Sequence, residues 1–142
     1  MTTEVNLEQL DLLAASFPKS QPLCMVNLLR FRESAEYGSD VQAAGATGQE
    51  AYFKGYLPAF GQVSHNLGIE GIRLVWAGAV VGNVAGASDE RWHAAAIVEY
   101  PNLQAFRRIV ESKAYMLTAD PHRRAALEDW RLIASTKLEL PG

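Results

Sequence analysis

Two side chains in this sequence stand where chemistry needs them: an asparagine set in an apolar strand and a histidine in the first turn of a short helix. Asn27 interrupts the run Leu23-Cys24-Met25-Val26-Asn27-Leu28-Leu29-Arg30-Phe31. A buried amide must find hydrogen-bond partners. One polar group in an apolar wall is also how small-molecule sites orient a ligand. The alternative for Asn27 is a structural tie to neighbouring backbone or side chains. His122 follows Asp120-Pro121, which reads as an N-cap carboxylate and a proline at the first helical position. A histidine there can serve as a base or a hydrogen-bond donor; the alternative is a surface residue on the sheet edge. Asn27 and His122 are the catalytic candidates.

Four further residues are candidate ligand contacts. Tyr56 lies one turn from Pro58 and offers a pocket hydroxyl. Trp76 offers a pocket wall, although aromatics at such spacing also build plain core, as Tyr52 and Trp92 do in the alternative reading. Glu99 sits between Val98 and Tyr100, where a carboxylate needs a partner such as Arg30 or Arg131, or serves as a base. Arg123, next to His122, is carried as a ligand contact, while the pairs Arg107-Arg108 and Arg123-Arg124 otherwise read as solvated helix faces. His65 and His93 are set aside, one near a helix end and one at a strand start. The three histidines have no metal-ligand spacing, and the sequence has no phosphate loop, dinucleotide glycine fingerprint or nucleophile elbow. Neither a metal nor a cofactor is expected. Cys24, the one cysteine, reads as a small core hydrophobe.

The elements that position these residues follow from periodicity and punctuation. Asn6 with Gln9 opens a helix that Pro18 stops. Leu23 to Phe31 alternates as a strand that is apolar on both faces. Glu33 to Gly48 is a long irregular stretch, a candidate cover for a pocket. Thr47-Gly48-Gln49-Glu50 is a capping box for a helix with a stripe of Tyr52, Tyr56, Phe60, Val63 and Leu67, kinked by Pro58 and ended by Gly68. Ile72 to Val81 and Trp92 to Tyr100 are strands, the first apolar on both faces with Trp76 among Ile72, Leu74 and Val80. Asn102 caps a third helix and Ser112 a short turn. A helix from Asp120 to about Asp129 then runs into a last strand, Trp130 to Leu138. The segment around Asn27 and the His122–Ala134 segment read as the two edges of the sheet.

The 142 residues fit one domain, with residues 1–20 as a helical extension. The remainder orders as βαββαβ: an α+β, ferredoxin-like fold with a four-stranded antiparallel sheet. Helices cover one face of that sheet. The strands are apolar on the other face too, so a homodimer joined through sheet faces is expected. A formal charge of −3 argues against a nucleic-acid partner. The absence of a signal peptide and of a membrane-length apolar run points to a cytoplasmic location.

The stretches Met25-Val26-Asn27-Leu28-Leu29-Arg30-Phe31-Arg32, Glu50-Ala51-Tyr52, Val75-Trp76-Ala77-Gly78, Val98-Glu99-Tyr100-Pro101 and His122 to Ile133 together resemble the DUF1330 family, over most of the chain from Leu23 to Thr136. The resemblance implies a dimeric α+β barrel, a superfamily that includes cofactor-free monooxygenases, isomerases, lyases and haem-degrading enzymes. Trp130 departs from the small residue common before Arg131 in the family, which implies a reshaped pocket or interface. The expected function is a cofactor-free enzyme, or a ligand-binding relative of one, acting on a small, partly apolar molecule between helices and sheet. The alternatives are a non-catalytic dimeric binding module, with no sizeable cavity and Asn27 fully tied, and a haem-handling enzyme, which needs a histidine in the pocket.

Overall fold

A computed structural model of the chain describes residues 3–38 and 46–141. Its centre is a four-stranded antiparallel sheet: β1 (Leu23–Phe31), β2 (Arg73–Ala79), β3 (Ala94–Tyr100) and β4 (Leu127–Ser135). The spatial order is β2-β3-β1-β4. That order, with a helix crossing between β1 and β2 and others between β3 and β4, is the ferredoxin-like arrangement read from the sequence. One expectation is overturned. β1 is not an edge; it pairs with both β3 and β4, and the edges are β2 and β4. Strand β1 is apolar on both faces because it is central.

Alternation along β1 is strict. Leu23, Met25, Asn27, Leu29 and Phe31 are buried under the helices, while the residues between them are half-buried on the opposite face. The helix layer has three members. Helix α2 spans 48–66 in three parts: Gly48–Glu50, a π-helical stretch Ala51–Tyr56, and Leu57–Asn66. Its start is the expected reciprocal cap, with Glu50 N donating to Thr47 Oγ1 and Thr47 N donating to Glu50 Oε1, each at 3.0 Å. At Pro58 the helix passes from a π-helical to an α-helical part. Proline has no N–H for the carbonyl one turn back, and the helix absorbs the loss by widening, so that Leu57 N reaches Tyr52 O, five residues back. Helix α3 (Leu103–Val110) is capped by Asn102 Oδ1, which accepts from Ala105 N at 2.8 Å. Helix α4 covers 115–126, a π-helical start Tyr115–Ala119 followed by Asp120–Ala126.

Helix α4 corrects a second expectation. Asp120 is not an N-cap; its backbone is helical (φ −56°, ψ −38°) and the helix runs through it. Its carboxylate turns to Arg123 and Arg124 instead, at 2.7 Å to each. The helix ends at Ala126, so β4 begins three residues before the Trp130 boundary drawn from the sequence. Outside this frame, α1 (Leu7–Ser16) is tied to α3 by the Arg107–Asp11 ion pair at 2.7 Å. No helix among the described residues is long and apolar enough to cross a membrane.

Candidate functional site

Between the helix layer and the sheet lies a cavity of about 790 Å³. Residue size explains it. The inner face of the sheet carries small side chains at its centre, with Ala96 of β3 flanked by Asn27 of β1 and Ala77 of β2. Ala94 and Ala79 continue this floor. The opposite wall is aromatic: Tyr52, Phe53, Tyr56 and Phe60 project from α2, and Tyr115 from α4. Large residues above small ones on a rigid sheet leave space that a uniform layer of leucines would fill. Three lining residues, Phe53, Leu57 and Leu74, are 45%, 42% and 61% exposed, so the cavity opens between α2 and the β2 edge.

The polar groups in this lining are few. Asn27 is 8% exposed; its Oδ1 accepts from Trp130 Nε1 at 3.2 Å, and its Nδ2 donates to Met25 O at 3.3 Å. One amide N–H remains unspent. The Tyr56 and Tyr115 hydroxyls meet at 3.0 Å. Tyr52 and Tyr100 complete a group of four buried phenols. Burial pushes all four hydroxyls above their ordinary titration range, so at neutral pH they are protonated donors. His93 stands in the lining, stacked on Phe31 with ring planes 4° apart. Its Nδ1 accepts the Phe31 backbone N–H at 2.9 Å, which assigns the proton of the neutral ring to Nε2. No carboxylate, lysine or arginine is in the lining among the described residues.

No protein-family model and no curated protein matches the chain. Among solved structures, the RPA0582 protein of unknown function from Rhodopseudomonas palustris superposes with a TM-score of 0.80 at 33% identity, covering 97% of this chain and 98% of that one. Its methylated form superposes at 0.82 with the same identity, covering 97% and 96%. The chain belongs to the RPA0582 family. A dimeric protein of unknown function and ferredoxin-like fold from Bacteroides fragilis is 16% identical, with a TM-score of 0.43 over 84% of this chain and 100% of that one, too loose a match to bear on the site.

In this RPA0582-family chain, the residues singled out from sequence separate into two groups. Asn27 and Tyr56 line the cavity. His122 does not; its ring lies against Gly55 of α2, and its Nδ1 meets the Tyr37 hydroxyl at 2.7 Å. The structure does not bring Asn27 and His122 together. Trp76 is 55% exposed on the outer face of the sheet. The cause is a bulge at Val75: pairing passes from Leu74–Val98 to Trp76–Ile97. The extra residue reverses the face, so Trp76 leaves Leu74 and the cavity behind. Glu99 is also on the outer face, in an interstrand ion pair with Arg73 at 3.3 Å rather than with Arg30 or Arg131. Arg123 is neither solvated nor in the cavity. It is 1% exposed, paired with Asp120, hydrogen-bonded to Thr3 O, and its guanidinium lies 4.8 Å from the centre of the Trp130 ring. Of the 33–48 stretch, residues 39–45 lie outside the described residues. The arm before them runs along α4, with Glu36 N donating to Ala125 O.

Tyr100, Tyr115 and His93 also line the cavity without being singled out by the sequence, and so does Trp130, whose departure from the family implied a reshaped pocket or interface. Strand parity offered a signal for Tyr100, which lies two residues beyond Val98 on the same face. The unusual Trp130 offered another.

The His122 contact gives a prediction of opposite signs. A Cβ on Gly55 would sit 2.6 Å from His122 Nδ1, so Gly55→Ala displaces the ring and its bond to Tyr37. We expect a loss of ~1 kcal/mol in urea denaturation. In a His122→Ala background the same Gly55→Ala stabilises by ~1 kcal/mol through helix propensity. Equal effects in both backgrounds would show that the packing is irrelevant.

Proposed function

We propose that each subunit holds a small, uncharged, largely apolar molecule in the cavity between helices and sheet, with Asn27 and Tyr56 among the groups that orient it. The observation that carries this reading is the cavity itself: about 790 Å³, mostly apolar, with a few convergent donors. A non-catalytic module with a filled core is disfavoured by the same space. The experiment is a fluorescence titration with N-phenyl-1-naphthylamine, a neutral apolar dye. Saturable binding at one dye per chain supports the reading; a linear, unsaturable response defeats it.

We also propose that the chain is a DUF1330-like dimeric α+β barrel whose subunits pair through the outer face of the sheet. Val26, Leu28, Trp76, Ile97 and Ile133 share that face by register, and Trp76 and Ile133 are 55% and 52% exposed. The Trp76 ring lies across Gly78, where a Cβ would come within 2.5 Å of it, leaving a flat apolar surface. Such a surface favours a matching copy over water. In light-scattering chromatography at micromolar concentration the protein is expected at twice its chain mass of 15.6 kDa. Trp76→Asp/Ile133→Asp is expected at the chain mass. A wild-type monomer contradicts the assembly.

A further inference from the structure

The phenols of the cavity carry more donors than the protein uses. Tyr52, Tyr56, Tyr100 and Tyr115 are 8%, 7%, 5% and 3% exposed and all line the cavity. Three are in ring contact, with the Tyr52 and Tyr56 rings centred 5.1 Å apart and the Tyr56 and Tyr115 rings 6.2 Å apart, while the Tyr100 ring packs on Phe60 and Phe106 within electrostatic reach of Tyr52 and Tyr115. Only the Tyr56–Tyr115 bond at 3.0 Å is made among them, and it spends one of the two protons present. The Tyr52 and Tyr100 hydroxyls have no hydrogen-bond partner among the described residues. Both residues line the cavity, and two donors unspent by the protein beside a third spare proton mark a place prepared for an acceptor.

The neighbourhood defines that acceptor. Behind Tyr115 stands Arg123, whose guanidinium favours electron density on the phenol oxygen and offsets part of the effect of burial. Arg123 has no charge to spare for a ligand, because Asp120 lies at 2.7 Å and Glu4 at 3.4 Å. A carboxylate ligand would therefore enter without a countercharge. A hydrocarbon would leave the phenols unmatched. An oxygen that only accepts, with two lone pairs, can take two of these donors.

We propose that the four tyrosines form a donor cluster for a carbonyl oxygen, so that the ligand class is small, uncharged, largely hydrocarbon carbonyl compounds. This rests on the reading of the cavity as a ligand site. The carbonyl points at the tyrosines, and the hydrocarbon body lies over Ala96 toward the mouth at Phe53 and Leu74.

The test uses a pair of matched shape, 1-tetralone and tetralin, each displacing N-phenyl-1-naphthylamine. The variant is Tyr52→Phe/Tyr100→Phe, which removes two hydroxyls that bond to nothing in the protein. The ratio of tetralone to tetralin affinity is expected to fall about tenfold in the variant, the worth of one to two neutral hydrogen bonds. Its thermal midpoint is expected to stay level or rise. In the wild type, the infrared carbonyl band of bound tetralone is expected below its position in cyclohexane. An unchanged affinity ratio, a band at the cyclohexane position, or a variant clearly less stable than wild type overturns the donor cluster while leaving the cavity reading intact. Failure of the dye to bind the wild type removes both.

Discussion

Ala96→Phe is expected to weaken the binding of a neutral apolar dye strongly while the fold survives. Ala96 is the middle of the cavity floor, directly across from Asn27 on one side and Ala77 on the other. Its side chain points at the aromatic wall of α2, and the space between is empty of protein. A phenylalanine there fills the cavity with a ring that meets other rings. Overpacking is costly where no space exists, but here the added apolar area is removed from water at about 25 cal/mol per Å². The thermal midpoint is expected to hold or rise. Affinity for N-phenyl-1-naphthylamine is expected to fall by about a hundredfold, equivalent to ~2.7 kcal/mol. Undiminished dye affinity in a folded variant would place the dye elsewhere.

The second large effect is on stability. Gly48→Ala is expected to cost ~3–5 kcal/mol, among the severe single substitutions. A Cβ at this position would lie 2.2 Å from Arg32 O, 2.6 Å from Ala126 O and 2.7 Å from Arg32 N. All three are backbone atoms and cannot rotate away. They meet there because the end of β1, the start of α2 and the end of α4 are laced together: Gly48 N donates to Arg32 O at 3.0 Å, and Arg32 N donates to Ala126 O at 2.8 Å. This junction fixes where α2 begins and so where Tyr52 and Tyr56 hang over the sheet. A midpoint lowered by about 10 °C or more in thermal unfolding is the expected result. A shift of a degree or two would mean that the junction gives way more easily than its geometry implies.

The fold was legible because local and long-range signals agree. The period-two pattern of β1, the Thr47–Glu50 box, the Asn6 and Asn102 caps and Gly68 at φ +70° each do what their residue types demand. The site was legible only in part. Asn27 and Tyr56 could be placed in the cavity lining, since a lone amide in an apolar strand and a tyrosine on a core-facing stripe both have to face inward. Trp76 was misplaced because a single bulged residue reverses strand parity, and no residue type announces the bulge at Val75. Arg123 was misread because a buried guanidinium differs from a solvated one only through partners distant in sequence, Glu4 and Trp130 among them. The cavity itself is a matter of size contrast between α2 and the alanines of β2 and β3, which becomes visible only when the register is known.

The most direct test is to locate a ligand. Crystals soaked with 4-bromoacetophenone would report the bromine by anomalous scattering and the carbonyl by density. A bromine peak is expected between Ala96 and the mouth residues Phe53 and Leu74, with the carbonyl oxygen turned toward Tyr52, Tyr56, Tyr100 and Tyr115. A bromine found only on the outer sheet face, or only in the groove of about 520 Å³ between α1 and β4, would contradict it.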